Sequence, residues 1–208
     1  MKLPDFEITE YKTLVKYHGE DVPEVTVPDG VEYIGGHAFY DYRIKSIILP
    51  DSLKKIDLSA FFSKYVYPRG ATISKISYRG VVFNSYGDTY FYVRDIIDMI
   101  ANKDYSIKLS HDVKYPIIFQ IYFNEKDPVT EAYIKKNLMK IFTFVIDASK
   151  YTLPDDEKIS IIKNLLETGK FFTSRNITRY INIADQKQKF EIFDMLTEYQ
   201  ENLKTNKI

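Results

Sequence analysis

The sequence predicts an α+β chain: a short stack of strand-and-turn coils followed by a region made only of helices. Three observations carry that expectation. One stretch repeats itself at a fixed offset of 22 residues. Apolar spacing changes from a strand-like period of 2 to a helical period of 3.6 near residue 93. A balance of 45% apolar and 28% charged residues is that of a globular chain able to bury a core.

The repeat comes first because it organises everything around it. Val25-Thr26-Val27-Pro28-Asp29-Gly30-Val31, then Ile34, then Ala38-Phe39, recurs as Ile47-Ile48-Leu49-Pro50-Asp51-Ser52-Leu53, then Ile56, then Ala60-Phe61. Three β-prone residues make a short strand, and the proline after them lacks the N–H needed to extend a ladder. Asp-Gly or Asp-Ser turns the chain. Val31/Leu53 and Ile34/Ile56 then point inward, and the Ala-Phe pair gives one small residue for close approach and one large residue to fill the coil. One such unit cannot bury its apolar set alone, whereas stacked units can.

These residues resemble the BspA-like leucine-rich repeat family, whose unit is a strand, a proline, a Val-x-x-Ile step and an Ala-Phe pair. The resemblance spans about residues 5–80. Phe6-Glu7-Ile8 and Leu14-Val15-Lys16-Tyr17 look like the opening strands, and a degenerate third unit runs from Val66-Tyr67-Pro68 to Ile76 without its Ala-Phe pair. The resemblance implies a small curved solenoid with a parallel sheet along one face, Val25, Val27, Ile47 and Leu49 facing the core and Thr26 and Ile48 facing out. It also implies a binding or adhesive role.

Residues 78–92 join the repeats to the helices. Tyr78, Val81, Val82 and Phe83 read as one strand closing the repeat sheet, with a turn over residues 84–88. Beyond them, Val93, Ile96, Ile97 and Ile100 share one helical face. Ile117, Ile118, Ile121 and Tyr122 open another helix after Pro116, a residue suited to a first helical turn, while His111 also stands at a helix start. Asp127-Pro128 reads as N-cap and first residue of a longer helix with the stripe Ile134, Leu138, Ile141, Phe142 and Val145. The acids Asp155-Asp156-Glu157 suit the positive end of a fourth helix, which buries Ile159, Ile162, Leu165 and Leu166 and stops at Gly169. Thr173 or Ser174 caps a fifth helix carrying Ile177, Ile181 and Ala184. A sixth carries Ile192, Met195, Leu196 and Tyr199, and residues 202–208 read as a frayed tail. The last two helices resemble an ankyrin-type hairpin: Glu191-Ile192 and Met195-Leu196 sit where its second helix places such pairs, although the Thr-Pro-Leu-His signature is absent. The expected domains are therefore a repeat region with its closing strand over residues 1–92 and a helical region, ankyrin-like or an irregular bundle, over residues 93–208.

Charge and composition narrow the function classes. The 29 basic and 29 acidic residues split as 11 against 12 over residues 1–90 and 18 against 17 over the rest. Neither half has the basic excess of a nucleic-acid surface or an anionic-membrane surface. Without cysteine there is no disulfide framework, thiolate metal site or Cys nucleophile. No run approaches the roughly 18 apolar residues of a membrane span. No apolar leader opens the chain as given, so the expected location is cytoplasmic, or extracellular or on the cell surface if a leader has been removed.

No chemistry-bearing motif emerges. There is no phosphate-cradling Gly loop, nucleophile elbow or His-Glu-x-x-His, and no local acid stands at ligand spacing from His18, His37 or His111, which read as solvated polar residues. Asp155-Asp156-Glu157 is explained as a helix start. The stretch holding Tyr65, Tyr67, Tyr78, Tyr86, Tyr90 and Tyr92 either offers contact surface or plugs the open end of the repeats, and the plug is the expectation. The sequence thus points to a non-enzymatic protein-binding module with no cofactor, whose contacts fall on the outward strand residues Glu24, Thr26, Ser46 and Ile48. Carbohydrate or cell-surface binding through exposed tyrosines is the alternative, and a hydrolase with an unrecognised site a third class.

Overall fold

In the computed structural model, which describes residues 2–3, 5–39, 44–57, 59–61, 73–84 and 92–205, the 22-residue offset is a hydrogen-bonding register. Strands β4 (Glu24–Thr26) and β6 (Ser46–Leu49) run parallel with Val25 opposite Ile47 and Thr26 opposite Ile48. A second parallel pair, β5 (Tyr33–Ile34) and β7 (Lys55–Ile56), places Ile34 opposite Ile56 at the same offset. Each coil therefore contributes one strand to each of two sheets.

One sheet is completed on its N-terminal side by β1 (Lys2–Leu3), β2 (Phe6–Ile8) and β3 (Thr13–Tyr17), in the order β1-β2-β3-β5-β7. The expected opening strands pair antiparallel, with a register shift between Glu7 and Ile8, before β3 joins β5 in parallel. The other sheet has the order β4-β6-β8-β9, with β8 at Lys75–Tyr78 and β9 at Val81–Asn84.

Between the sheets lies the repeated apolar set. Val25, Val27, Val31, Ile34, Ala38 and Phe39 are buried, and so are Ile47, Leu49, Leu53, Ile56, Ala60 and Phe61. Phe39 and Phe61 lie 5.7 Å apart, and Tyr17 stands 5.8 Å from Phe39, so residues 17, 39 and 61 form a ring ladder at the repeat offset. The backbone repeats it: the Tyr17 N–H donates to the Ala38 carbonyl and that of Phe39 to the Ala60 carbonyl. Both Ala-Phe pairs thus occupy one kind of surrounding.

Two expectations need correction. The start of the third unit, Val66-Tyr67-Pro68, lies outside the described residues, but Ile76 does not sit at a Val-x-x-Ile step. It lies on β8 opposite Ile47, an offset of 29. The strand pattern Ile44-x-x-Ile47-x-Leu49 recurs as Ile73-x-x-Ile76-x-Tyr78, so the second unit is seven residues longer than the first. Residues 78–83 are also not one strand. Arg79 and Gly80 both take positive φ, 49° and 71°, forming the two-residue turn that suits the twist of an antiparallel hairpin. Tyr78 ends β8, and β9 turns back on it with Tyr78 opposite Val81. The hairpin ends the parallel stack. The turn expected at 84–88 falls, after Asn84, outside the described residues.

By internal contacts the chain divides into Met1–Asn124 and Glu125–Ile208. The change of periodicity near residue 93 is thus separate from the change of compact unit. Helices α1 (Val93–Asn102) and α2 (His111–Glu125) go with the repeats: α1 packs on β7, and α2 side chains bond to the β8–β9 hairpin. Helix α2 begins at His111 and carries Pro116 inside it, so Pro116 does not open the helix; it removes one N–H from the ladder in a helix buried on nearly every side. Lys114 is buried there, its Nζ donating to the carbonyls of Tyr105 and Ile107.

The second unit holds α3 (Pro128–Asp147), α4 (Asp155–Glu167), α5 (Ile177–Gln186) and α6 (Phe190–Lys204). Asp127 caps α3 by accepting from the N–H groups of Val129 and Thr130, with Pro128 as first helical residue, and its whole expected stripe is buried. Gly169, at φ 65°, follows the end of α4. Phe142, Phe172 and Tyr180 meet edge to face at its centre. Helix α5 packs on α6, α4 on α6 and α3 on α5. Neither Thr173 nor Ser174 caps α5: Asn176 holds that position, and its Oδ1 accepts from the Thr173 N–H. Residues 202–204 are helical rather than frayed, and 206–208 lie outside the described residues. Among the described residues no helix is long and apolar enough to cross a membrane.

Candidate functional site

The outer face of the β4-β6-β8-β9 sheet is built by alternation. Successive strand residues point to opposite faces, so burying Val25, Ile47, Ile76 and Phe83 turns their neighbours outward. Register arranges those neighbours in two rows: Glu24, Ser46, Lys75 and Asn84, then Thr26, Ile48, Ser77 and Val82. The four residues expected from sequence to make contacts therefore lie side by side on two adjacent strands. Glu24, Thr26 and Ile48 are exposed and Ser46 is half-buried. Its hydroxyl donates to Glu24 Oε2 at 3.0 Å, orienting that carboxylate. In the second row Ile48 and Val82 are 36% and 38% exposed, so this row carries apolar as well as polar side chains on the solvent-facing surface.

Beside this face runs a groove of about 560 Å³ lined by Thr26, Ile48, Pro50, Asp29, Asp51 and Ser52. Its walls are the Pro-Asp turns of two successive coils. They are tied by Ser52, whose hydroxyl accepts from the Gly30 N–H at 3.0 Å and donates to the Val31 carbonyl at 2.8 Å. Asp29 and Asp51 are both exposed, giving the groove an acidic rim.

The far edge of the same sheet is closed by a side chain. Gln120 on α2 accepts from the Val82 N–H and donates to the Val82 carbonyl, each at 2.9 Å, as a neighbouring strand would. Asn124 donates to the Gly80 carbonyl at 3.0 Å. Nothing in the sequence pattern signals this, since a glutamine on a helix carries no mark of the strand it will meet. Arg79 adds a second tie, its guanidinium donating to the carbonyls of Ala101 and Asp51. Tyr78 is fully buried, its hydroxyl donating to the Leu53 carbonyl at 2.7 Å and its pKa raised by desolvation. It therefore offers no contact surface. Tyr92 is exposed, and Tyr65, Tyr67, Tyr86 and Tyr90 lie outside the described residues.

Charged groups elsewhere are held structurally. Glu32 sits 2.6 Å from both Lys12 and Lys54, and hydrogen bonds from these lysines hold its pKa below the usual value. The Ser59 hydroxyl and N–H do the same for Asp57. His18 is half-exposed, and the β2–β3 pairing brings its Nε2 within 3.0 Å of Glu7, eleven residues earlier in the chain. His111 stacks on Tyr115 at 4.6 Å. Among the described residues no three His, Asp or Glu side chains are grouped to hold a metal ion.

Residues 15–98 match the family described as BspA type leucine rich repeat region (6 copies). That span runs from β3 through both sheets into α1, and so contains the whole outer face and its groove. Neither a curated protein nor a solved structure matches the chain.

Proposed function

We propose that the protein is a non-enzymatic protein-interaction module in which the repeats form a short solenoid presenting the face that carries Glu24, Thr26, Ser46 and Ile48. One observation carries the reading: exposed Ile48 lines a groove with an acidic rim, and its outward row continues across Ser77 to exposed Val82. Apolar surface on an otherwise polar face, bordered by charge, is what a partner segment can desolvate. The match to a repeat class used for protein and surface interactions supports it. Helices α5 and α6 pair as one hairpin, with α3 on α5 and α4 on α6, and this hairpin is what supports an ankyrin-like reading of the helical region. The inference from fold to use is by analogy, and the site argument rests on the sheet face.

The test is site-specific cross-linking. A photoreactive residue placed at Ile48 is expected to capture a partner protein, whereas the same residue at Tyr11, exposed at 76% in the same unit, does not. Thr26→Arg, on the neighbouring strand, is expected to abolish the adduct. Equal capture from both positions, or an adduct indifferent to Thr26→Arg, contradicts the reading.

A further inference from the structure

A different surface, in the Glu125–Ile208 unit, has its own chemistry. Helices α4 and α6 pack together and leave between them a groove of about 610 Å³. Ile159, Leu166, Met195 and Tyr199 form its floor, and Lys163, Glu167, Glu191 and Glu198 stand on its walls. Each helix contributes residues at helical spacing, 159, 163 and 166 on α4 and 191, 195, 198 and 202 on α6, so the groove follows the helix axes. From Glu191 to Asn202 it extends about 17 Å, roughly three helical turns. Ile159 and Met195, which the stripes mark for burial, are only half-buried because no described element lies over them.

The charge on the walls says what fits. Three of the four charged wall residues are acidic, and α6 carries Glu191, Asp194, Glu198 and Glu201 against the single base Lys204. Outside this helix residues 125–208 carry 13 bases against 9 acids, so the acidity is local to it. A second copy of the chain is disfavoured: an isologous contact would set Glu191 and Glu198 of one groove against the same residues of the other.

We propose that the α4–α6 groove binds a basic amphipathic helix of a partner protein, about three turns long, its apolar stripe on Ile159, Leu166, Met195 and Tyr199 and its Lys or Arg flanks against Glu167, Glu191 and Glu198. This does not rest on the sheet-face reading, and either can fail alone. The test uses the full chain and two fluorescent peptides of about four helical turns with the same leucine stripe. One is flanked by Lys and Arg, the other by Glu. Anisotropy at low salt is expected to show the basic peptide binding at least about ten-fold more tightly, with the difference shrinking as salt rises. Glu191→Gln with Glu198→Gln is expected to remove the preference and Glu191→Lys with Glu198→Lys to reverse it. Both residues are exposed, and unchanged circular dichroism checks the fold. Equal binding of the two peptides, binding of neither, a preference untouched by these variants, or sedimentation as a dimer that Glu191→Lys dissociates overturns the proposal.

Discussion

In the Met1–Asn124 unit, successive units are joined main chain to main chain: Val25 faces Ile47 and Ile34 faces Ile56, each 22 residues on, and the Phe39 N–H bonds to the carbonyl of Ala60. In Glu125–Ile208 no strand is present among the described residues; each helix satisfies its own backbone, and the helices meet only through side chains such as Phe142, Phe172 and Tyr180. The difference has a structural consequence. A coil is defined only against its neighbours, so damage to one is transmitted along the ladder. A helix keeps its own hydrogen bonds when a neighbour is disturbed, so damage there stays more local.

The largest test of that contrast is a pair of phenylalanine truncations. Phe61→Ala and Phe142→Ala each remove a buried ring and are each expected to cost about 3–5 kcal/mol. Hydrogen exchange should then separate them. Phe61→Ala is expected to lower protection in β5 and β7 as well as around residues 59–61, whereas Phe142→Ala lowers it chiefly around α3 and α5. Equal spread in both variants would break the comparison. Phe39→Ala combined with Phe61→Ala should be non-additive, because the two rings touch.

Smaller effects sharpen it. Tyr78→Phe leaves the buried Leu53 carbonyl without its donor and is expected to lower stability by about 1–2 kcal/mol in urea titration. Asp127→Ala removes two cap bonds from α3 and is expected to cost about 1 kcal/mol. Gln120→Ala opens the β9 edge; its bonds lie near solvent, so the stability change is expected to stay within about 1 kcal/mol, while size-exclusion shows new self-association through the freed edge.

The smallest effect is electrostatic and common to both units. Glu32 lies between Lys12 and Lys54, and Glu131 between Lys135 and Lys170, and these lysines hold both carboxylates below their ordinary pKa. A group whose folded pKa is depressed stabilises above its unfolded value, here 4.5, and that contribution is lost as pH falls through the lower folded value. Acid titrations of Glu32→Gln and Glu131→Gln should each start slightly less stable than the parent at neutrality, decline less steeply below that pH and converge with it in acid.

What could be read from the chain differed between the regions for the same physical reason. Two coils were legible because Pro28/Pro50, Ile34/Ile56 and Phe39/Phe61 keep one offset, and the parallel register follows from it. Tyr17 continues that offset but stands in a strand with other neighbours, so its place in the ring ladder showed only in three dimensions. The third strand was misplaced because Val66-Tyr67-Pro68 offered a Pro-ended stretch 18 residues after Ile48-Leu49-Pro50, although Ile73-x-x-Ile76-x-Tyr78 carried the strand pattern. In the helical unit the cap Asp127-Pro128 and the stripes were plain. Periodicity tells which residues share a face, however, and not whether anything covers it. Ile159 and Met195 therefore read as core and instead line a groove. Of the candidate sheet face, the repeat resemblance gave Thr26 and Ile48 as outward, with Glu24 and Ser46 beside them; Val82 and the Gln120 edge closure depend on the Arg79–Gly80 turn and on α2, which the strand pattern did not reveal.

The absence of cysteine permits a clean test of the register itself. Thr26 and Ile48 are outward, in-register neighbours on adjacent parallel strands, which lie about 4.8 Å apart, within the range a disulfide can span. Thr26→Cys with Ile48→Cys is expected to oxidise nearly completely in the folded chain, while Glu24→Cys with Ile48→Cys, one row out of register, stays largely reduced. Preferential bridging of the 24/48 pair, or of neither, would contradict stacking of the coils at an offset of 22.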